Sequence, residues 1–196
     1  MKTYFDFHFQ KNMVVLYPGD FFSTADSGEM ISTVLGSCIA ITLYDASTHI
    51  GGMNHFMLVS SSAEGKAGEE KSGRFGEYAV ELLLNDMIKK GARKKRMIAK
   101  VFGGSNLFNI GSDAGVGAQN IFFAFDYLER ERIPVKASDV GGNYSRKIYF
   151  DPMTSKVWLK HVKKQPRAND ILRKREEEYR AQVREQENKK NDIVWF

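Results

Sequence analysis

The stretch 31–55, ISTVLGSCIAITLYDASTHIGGMNH, constrains this 196-residue chain more than any other. It is rich in β-branched and other apolar residues and is interrupted by Gly36-Ser37, Asp45-Ala46-Ser47 and Gly51-Gly52. Punctuation of this kind divides it into short strands, expected at residues 33–35 and 38–44, with a returning strand at 50–58. The stretch holds the one cysteine, Cys38, and one of the four histidines, His55, placed 17 residues later. Neighbouring strands would bring thiol and imidazole within reach of each other, and an imidazole beside a thiol favours the reactive thiolate. A plainer reading also fits, in which Cys38 is a small buried hydrophobe and His55 a hydrogen-bonded structural group. A single cysteine argues against a structural disulfide and against a thiolate-rich zinc site, since each needs several ligands. No metal and no cofactor are expected.

Upstream, residues 4–9 alternate Phe5, Phe7 and Phe9 with Asp6 and His8, the pattern of a half-buried strand. Residues 13–17 form a second short strand closed by the turn pair Pro18-Gly19, and the polar segment 20–29 reads as a loop. Downstream, residues 59–73 are rich in Ser, Gly and charge and read as a loop bordering the Cys38 region. The clearest helix spans residues 74–90. Phe75, Ala79, Leu83 and Met87 recur every four residues, and Leu82 and Ile88 widen the stripe. Gly91 follows as its C-terminal cap.

Residues 97–102 read as a buried strand that exits through Gly103-Gly104, where the backbone is expected to approach another segment closely. Neither GxGxxG nor GxxxxGK[ST] occurs there, so a phosphate-binding loop is not indicated. A second amphipathic helix is expected at residues 117–130, with Ile121, Ala124, Phe125 and Leu128 facing inward. Strands at 134–140, 147–151 and 156–162 follow, with Gly141-Gly142 as a turn. Strands outnumber helices, so the predicted fold is an α/β protein built as a mixed β-sheet sandwich with helices packed on the outside.

A hydrophobic content of 42% supports one domain with a true core, at residues 1–165, and an appended tail at residues 166–196. No apolar run approaches the roughly 20 residues of a membrane span. No secretory leader pattern opens the chain, so a soluble protein of the reducing cytoplasm is expected. Lys and Arg number 29 against 24 acidic residues, an excess too small to indicate nucleic acid without a clustered patch. A monomer is expected.

Several separated blocks resemble the CheD family. They are TVLGSC at 33–38, GGMNHFML at 51–58, GEYAVELLLNDMIKKGA at 76–92, KVFGGSN at 100–106, DVGG at 139–142 and RKIYFD at 146–151. They keep family order from about residue 13 to residue 160. The pairing of LGSC with GGMNH across the 17-residue gap is the most specific part. CheD proteins are chemoreceptor glutamine deamidases of bacterial and archaeal chemotaxis. The resemblance therefore implies a cysteine-hydrolase-like fold, with Cys38 attacking the side-chain amide of a receptor glutamine and His55 serving as base and then acid. It implies chemoreceptors as substrates and a CheC-type phosphatase as a further partner, and some members also hydrolyse receptor methyl esters. A non-catalytic adaptor that docks receptors or such a phosphatase is the alternative. The family also uses a hydroxyl residue shortly before the cysteine. Ser32 and Thr33 are both available, and an ungapped count places Ser32 ahead. Val59 stands where the family often has Pro, a departure that bears on the shape of the following loop.

The tail beyond Pro166 is dense in Arg, Lys and Glu, with Ile171, Leu172, Tyr179 and Val183 as its sparse apolar residues. It reads as a solvated helix ending in the apolar tetrapeptide Ile193-Val194-Trp195-Phe196, which docks either on its own domain or on a partner.

Overall fold

The largely apolar run after Cys38 forms a strand buried on both faces, and the layers of the domain stack around it. A computed structural model describes residues 1–57, 65–106 and 115–162, together with residues 174, 177–179, 181, 182 and 185. The chain runs through β1 (Lys2–Asp6), β2 (Lys11–Val15), β3 (Phe21–Thr24), β4 (Glu29–Leu35), β5 (Ile39–Asp45) and β6 (Ile50–Asn54). Then come α1 (Gly65–Lys89), β7 (Met97–Gly103), α2 (Val116–Arg130), β8 (Val135–Val140), β9 (Ser145–Phe150) and β10 (Val157–Val162). One sheet has the order β1-β2-β4-β9-β10 and the other β3-β6-β5-β7-β8. The pairs β2–β4 and β7–β8 are parallel and the remaining pairs antiparallel, so both sheets are mixed.

Two hydrophobic layers follow from strand alternation. On β5, Ile39, Ile41 and Leu43 face the helices and join Val80, Leu83 and Met87 of α1 with Phe123, Ala124 and Leu128 of α2. Ala40 faces the other way and meets Val14, Ile31, Leu35, Ile148 and Phe150 of the opposing sheet. The helices therefore cover one sheet while the second sheet covers its other face, as the expected sandwich required. The helix-to-sheet approach is close enough that a Cβ on Gly52 would stand 2.6 Å from the Leu83 side chain. A larger residue there would push α1 off the sheet.

Three sequence expectations are corrected. The alternation at residues 4–9 does not mark a half-buried strand: β1 stops at Asp6, Phe5 is 46% and Phe7 80% exposed, and residues 7–10 turn. The physical reason is topological, because β1 is the edge strand of its sheet, paired there with β2. The polar segment 20–29 contains β3, four residues that pair antiparallel with β6. So short a strand carries too little alternation to stand out. Finally, α1 begins at Gly65, so residues 65–73 are helical rather than loop. Once the stripe from Ala79 to Met87 nucleates the helix, propagation through Glu69, Glu70 and Lys71 outweighs the glycines at 68 and 73 that made the segment read as a loop. The expected loop residues 59–64, the boundary at residues 165/166 and the terminal tetrapeptide lie outside the described residues. The described positions of the tail are helical.

The β5–β6 hairpin is tied down by one buried carboxylate. Asp45, fully buried, accepts from the backbone N–H groups of Ser47 at 3.0 Å and Arg93 at 2.9 Å, and from Arg96 Nη2 at 2.7 Å. Burial opposes its ionisation, but these donors outweigh burial and hold its pKa at about 2. A carboxylate with a depressed folded-state pKa stabilises above its unfolded value of about 3.9 and ceases to do so as pH falls through the folded value. We expect Asp45→Asn to lower stability by about 1–3 kcal/mol at neutral pH. Chemical denaturation of parent and variant should show that gap closing between about pH 4 and the folded pKa near 2. A gap of constant size over that range would mean that the carboxylate charge is not what holds the hairpin.

Candidate active site

The chain leaves one sheet at Leu35 and enters the other at Ile39, so Gly36-Ser37-Cys38 carry it between layers. Three consecutive carbonyls of this link are held. The Gly36 oxygen accepts from the Ser105 N–H and the Cys38 oxygen from the Gly104 N–H, both at 2.8 Å. The Ser37 oxygen accepts from Asn120 Nδ2, also at 2.8 Å. The close approach expected of Gly103-Gly104 is therefore real, and its target is the Cys38 carbonyl. Gly103 has φ +110, and a Cβ there would stand 2.1 Å from the Cys38 oxygen.

Cys38 is 1% exposed and belongs to the layer between the sheets. His55 follows β6 and is also buried. Ile39 and Phe56 exchange both backbone hydrogen bonds at 2.9 Å. That register sets Cys38 against Met57 and Ala40 against His55. Cys38 and His55 thus occupy diagonal positions on one face of adjacent strand segments, roughly 7 Å apart at the backbone and within reach of an imidazole. The turn before β3 fixes the His55 backbone: its N–H donates to Asp20 O at 2.9 Å and its oxygen accepts from Gly19 N–H at 2.8 Å.

The opposing sheet supplies the partner of the imidazole. Thr33 Oγ1 lies 2.7 Å from His55 Nδ1 and 2.9 Å from the Leu16 carbonyl oxygen. A carbonyl can only accept, so the one hydroxyl proton of Thr33 goes to Leu16. Toward His55 the hydroxyl must then accept, which puts the imidazole proton on Nδ1 and leaves the basic lone pair on Nε2. Ser32 is also buried, but successive strand residues point to opposite faces, so its side chain is turned away from the face that Thr33 shares with Ile31 and Leu35. The structure thus brings Thr33 and His55 into contact, sets Cys38 diagonally beside them, and does not bring Ser32 to His55.

Two residues at the site carry no obvious motif. Asn120 sits in the inward stripe of α2, among Gly117, Phe123, Ala124, Tyr127 and Leu128, and its polarity within that stripe is the signal that distinguishes it. Tyr179, from the tail, packs against the layer that contains Cys38, and a Cβ on Gly19 would stand 2.7 Å from its ring. Burial pushes its hydroxyl pKa up, and the negative charge of an ionised Cys38 nearby adds to the rise. Among the described residues no group of three or more His, Cys, Asp or Glu side chains could hold a metal ion. No described helix is long and apolar enough to cross a membrane.

Fold and site together define a mixed α/β protein with a thiol and an oriented imidazole on neighbouring strands. Comparison with known proteins narrows this further. The family model described as CheD chemotactic sensory transduction matches residues 57–161. A probable chemoreceptor glutamine deamidase CheD 1 of Shewanella oneidensis is 41% identical, over 93% of this chain and 87% of that protein. One of the same description from Dechloromonas aromatica is 41% identical, over 93% of this chain and 88% of that protein. The chain belongs to the CheD family. A crystal structure of the hypothetical protein YfiH of Bacillus licheniformis overlaps it with a TM-score of 0.41 at 12% identity, over 62% of this chain and 51% of that one.

The position of Tyr179 makes a specific expectation. Replacing the ring with a methyl group in Tyr179→Ala should speed alkylation of Cys38 by iodoacetamide severalfold, followed by intact mass. An unchanged rate would show that the ring does not limit access to the thiol.

Proposed function

We propose that this chain is a chemoreceptor glutamine deamidase in which Cys38 is the nucleophile, His55 the base and acid, and Thr33 the group that orients His55. The Thr33–His55 hydrogen bond carries this reading, because it selects the tautomer whose basic lone pair, on Nε2, is the one able to take a thiol proton. His55 removes that proton, and Cys38 Sγ attacks the Cδ carbon of a receptor glutamine. The carbonyl electron pair moves to oxygen and a tetrahedral intermediate forms. Its collapse breaks the C–N bond, and the His55 imidazolium protonates the departing ammonia. Water, deprotonated by His55, then cleaves the thioester, leaving glutamate and the restored thiol. A receptor methyl ester would follow the same course with methanol departing. A catalytic thiol suits the reducing cytoplasm. The core domain of residues 1–165 would hold all the chemistry, working as a monomer with a CheC-type phosphatase as a further partner, and the tail at 166–196 would be an accessory.

Incubation with receptor peptides should produce the mass gain of amide-to-acid conversion at particular glutamines. Cys38→Ala should abolish it, because removal of a nucleophile lowers rate by several orders of magnitude. A folded Cys38→Ala protein that still deamidates would sink the assignment. Thr33→Val keeps the branched shape but cannot hold the imidazole, and we expect kcat to fall by about 10–100-fold with KM little changed. Ser32→Ala should leave kcat close to that of the parent. The reverse ranking of these two variants would transfer the orienting role to Ser32.

A further inference from the structure

We propose that Asn120 is a positioning residue for the oxyanion site, fixing the Ser37–Cys38 peptide so that the Cys38 N–H points at the developing negative charge. This rests on the deamidase reading above. Asn120 is 0% exposed and donates from Nδ2 to the Ser37 oxygen at 2.8 Å. In a trans peptide the C=O and the following N–H point in opposite directions, and no described peptide bond is cis. Holding one end therefore aims the other.

The direction follows from the layers. α2 packs on the helix-covered face of its sheet, against β5, β7 and β8. The Ser37 oxygen is drawn toward that face, so the Cys38 N–H is turned toward the opposite one. That opposite face is the layer between the sheets, where Cys38 and Thr33 lie and where Thr33 meets His55. Attack by Sγ on an amide carbonyl places the new oxyanion close to the nucleophile's own backbone, within reach of that N–H.

The neighbouring peptides need no such side chain. Backbone donors of the β7 exit already hold the Gly36 and Cys38 oxygens. At Ser37 an amide side chain takes their place, in a helix stripe otherwise filled by Phe123, Ala124, Tyr127 and Leu128. A buried amide in apolar surroundings is costly unless its hydrogen bonds are made. A leucine would continue the stripe with similar volume and would leave the peptide unaimed.

That contrast supplies the test. Asn120→Leu and Asn120→Ala are compared with the parent for deamidation kinetics on a receptor peptide, melting temperature, and the pH profile of Cys38 alkylation by iodoacetamide. Alkylation is a direct displacement that forms no oxyanion, so it reports on the thiol and His55 alone. We expect kcat to fall by about 10–100-fold in the variants, with KM and the alkylation profile nearly those of the parent. Unimpaired kcat would overturn the proposal. So would a parallel loss of kcat, alkylation and melting temperature, or failure of both variants to fold, since each would make Asn120 a packing residue only. A parent protein that does not deamidate at all would refute the function itself, whereas an active parent with equally active variants refutes only the role of Asn120.

Discussion

A threonine hydroxyl has a single proton to give, and the site depends on where Thr33 gives it. Donation to the Leu16 carbonyl leaves the oxygen able only to accept from His55, and so the imidazole is held in one tautomer by a hydroxyl. The bond also spans the two sheets, since Thr33 belongs to β4 and His55 follows β6. Stacked sheets lie about 10 Å apart, and a short hydroxyl and an imidazole meet across that gap where the strands converge. The branched Cβ of threonine adds a stiff χ1, which serine lacks. Orientation of the imidazole is therefore a consequence of sandwich packing, and whatever holds the sheets together also holds the histidine.

Much of this was legible in the sequence, for reasons that differ by residue. The apolar residues after Cys38 announced a strand, and Gly36-Ser37 marked where the chain breaks between strands. Gly51-Gly52, expected to turn, lie instead within β6, where Pro152 and Leu83 approach them closely. The pairing of Cys38 with His55 followed from two strands returning on each other. The choice between Ser32 and Thr33 stayed open in the sequence, where a count of positions placed Ser32 ahead. Strand parity separates the two, because Thr33 shares its face with the apolar Ile31 and Leu35 and meets His55, while Ser32 points the other way. The edge strand β1 was misjudged because alternation reports two unlike faces and not whether anything packs on either. Asn120 was hidden because its partner is a backbone carbonyl 83 residues away, a contact that only the fold creates.

The link that carries Cys38 is supported by more than its immediate partners. Arg146, 0% exposed, reaches Ser105 Oγ at 2.5 Å, the Gly141 oxygen at 2.7 Å and Asp139 at 2.6 Å. A buried guanidinium is tolerated only when its donors are matched, and here they are matched by the loops that leave β7 and β8. Ser105 in turn gives its N–H to Gly36, so the ion pair reaches the Gly36-Ser37-Cys38 link in two steps. His161 bonds the other oxygen of Asp139 at 3.1 Å and closes the set from β10.

The exit of β7 and the buried stripe of α2 thus converge on Gly36-Ser37-Cys38, and all three carbonyls are held. What is fixed is the backbone. The thiol and the imidazole remain on the other side, in a layer that Tyr179 borders with a single ring. Backbone support behind Cys38 and a thiol set in the layer between the sheets are compatible demands, because peptide groups and side chains leave the chain in different directions. A loop lying wholly within one sheet could not separate them, since its backbone would be engaged on both edges by the ladder. The crossing between sheets is where this chain can hold the peptide groups of its cysteine on one side and set the thiol in the layer on the other.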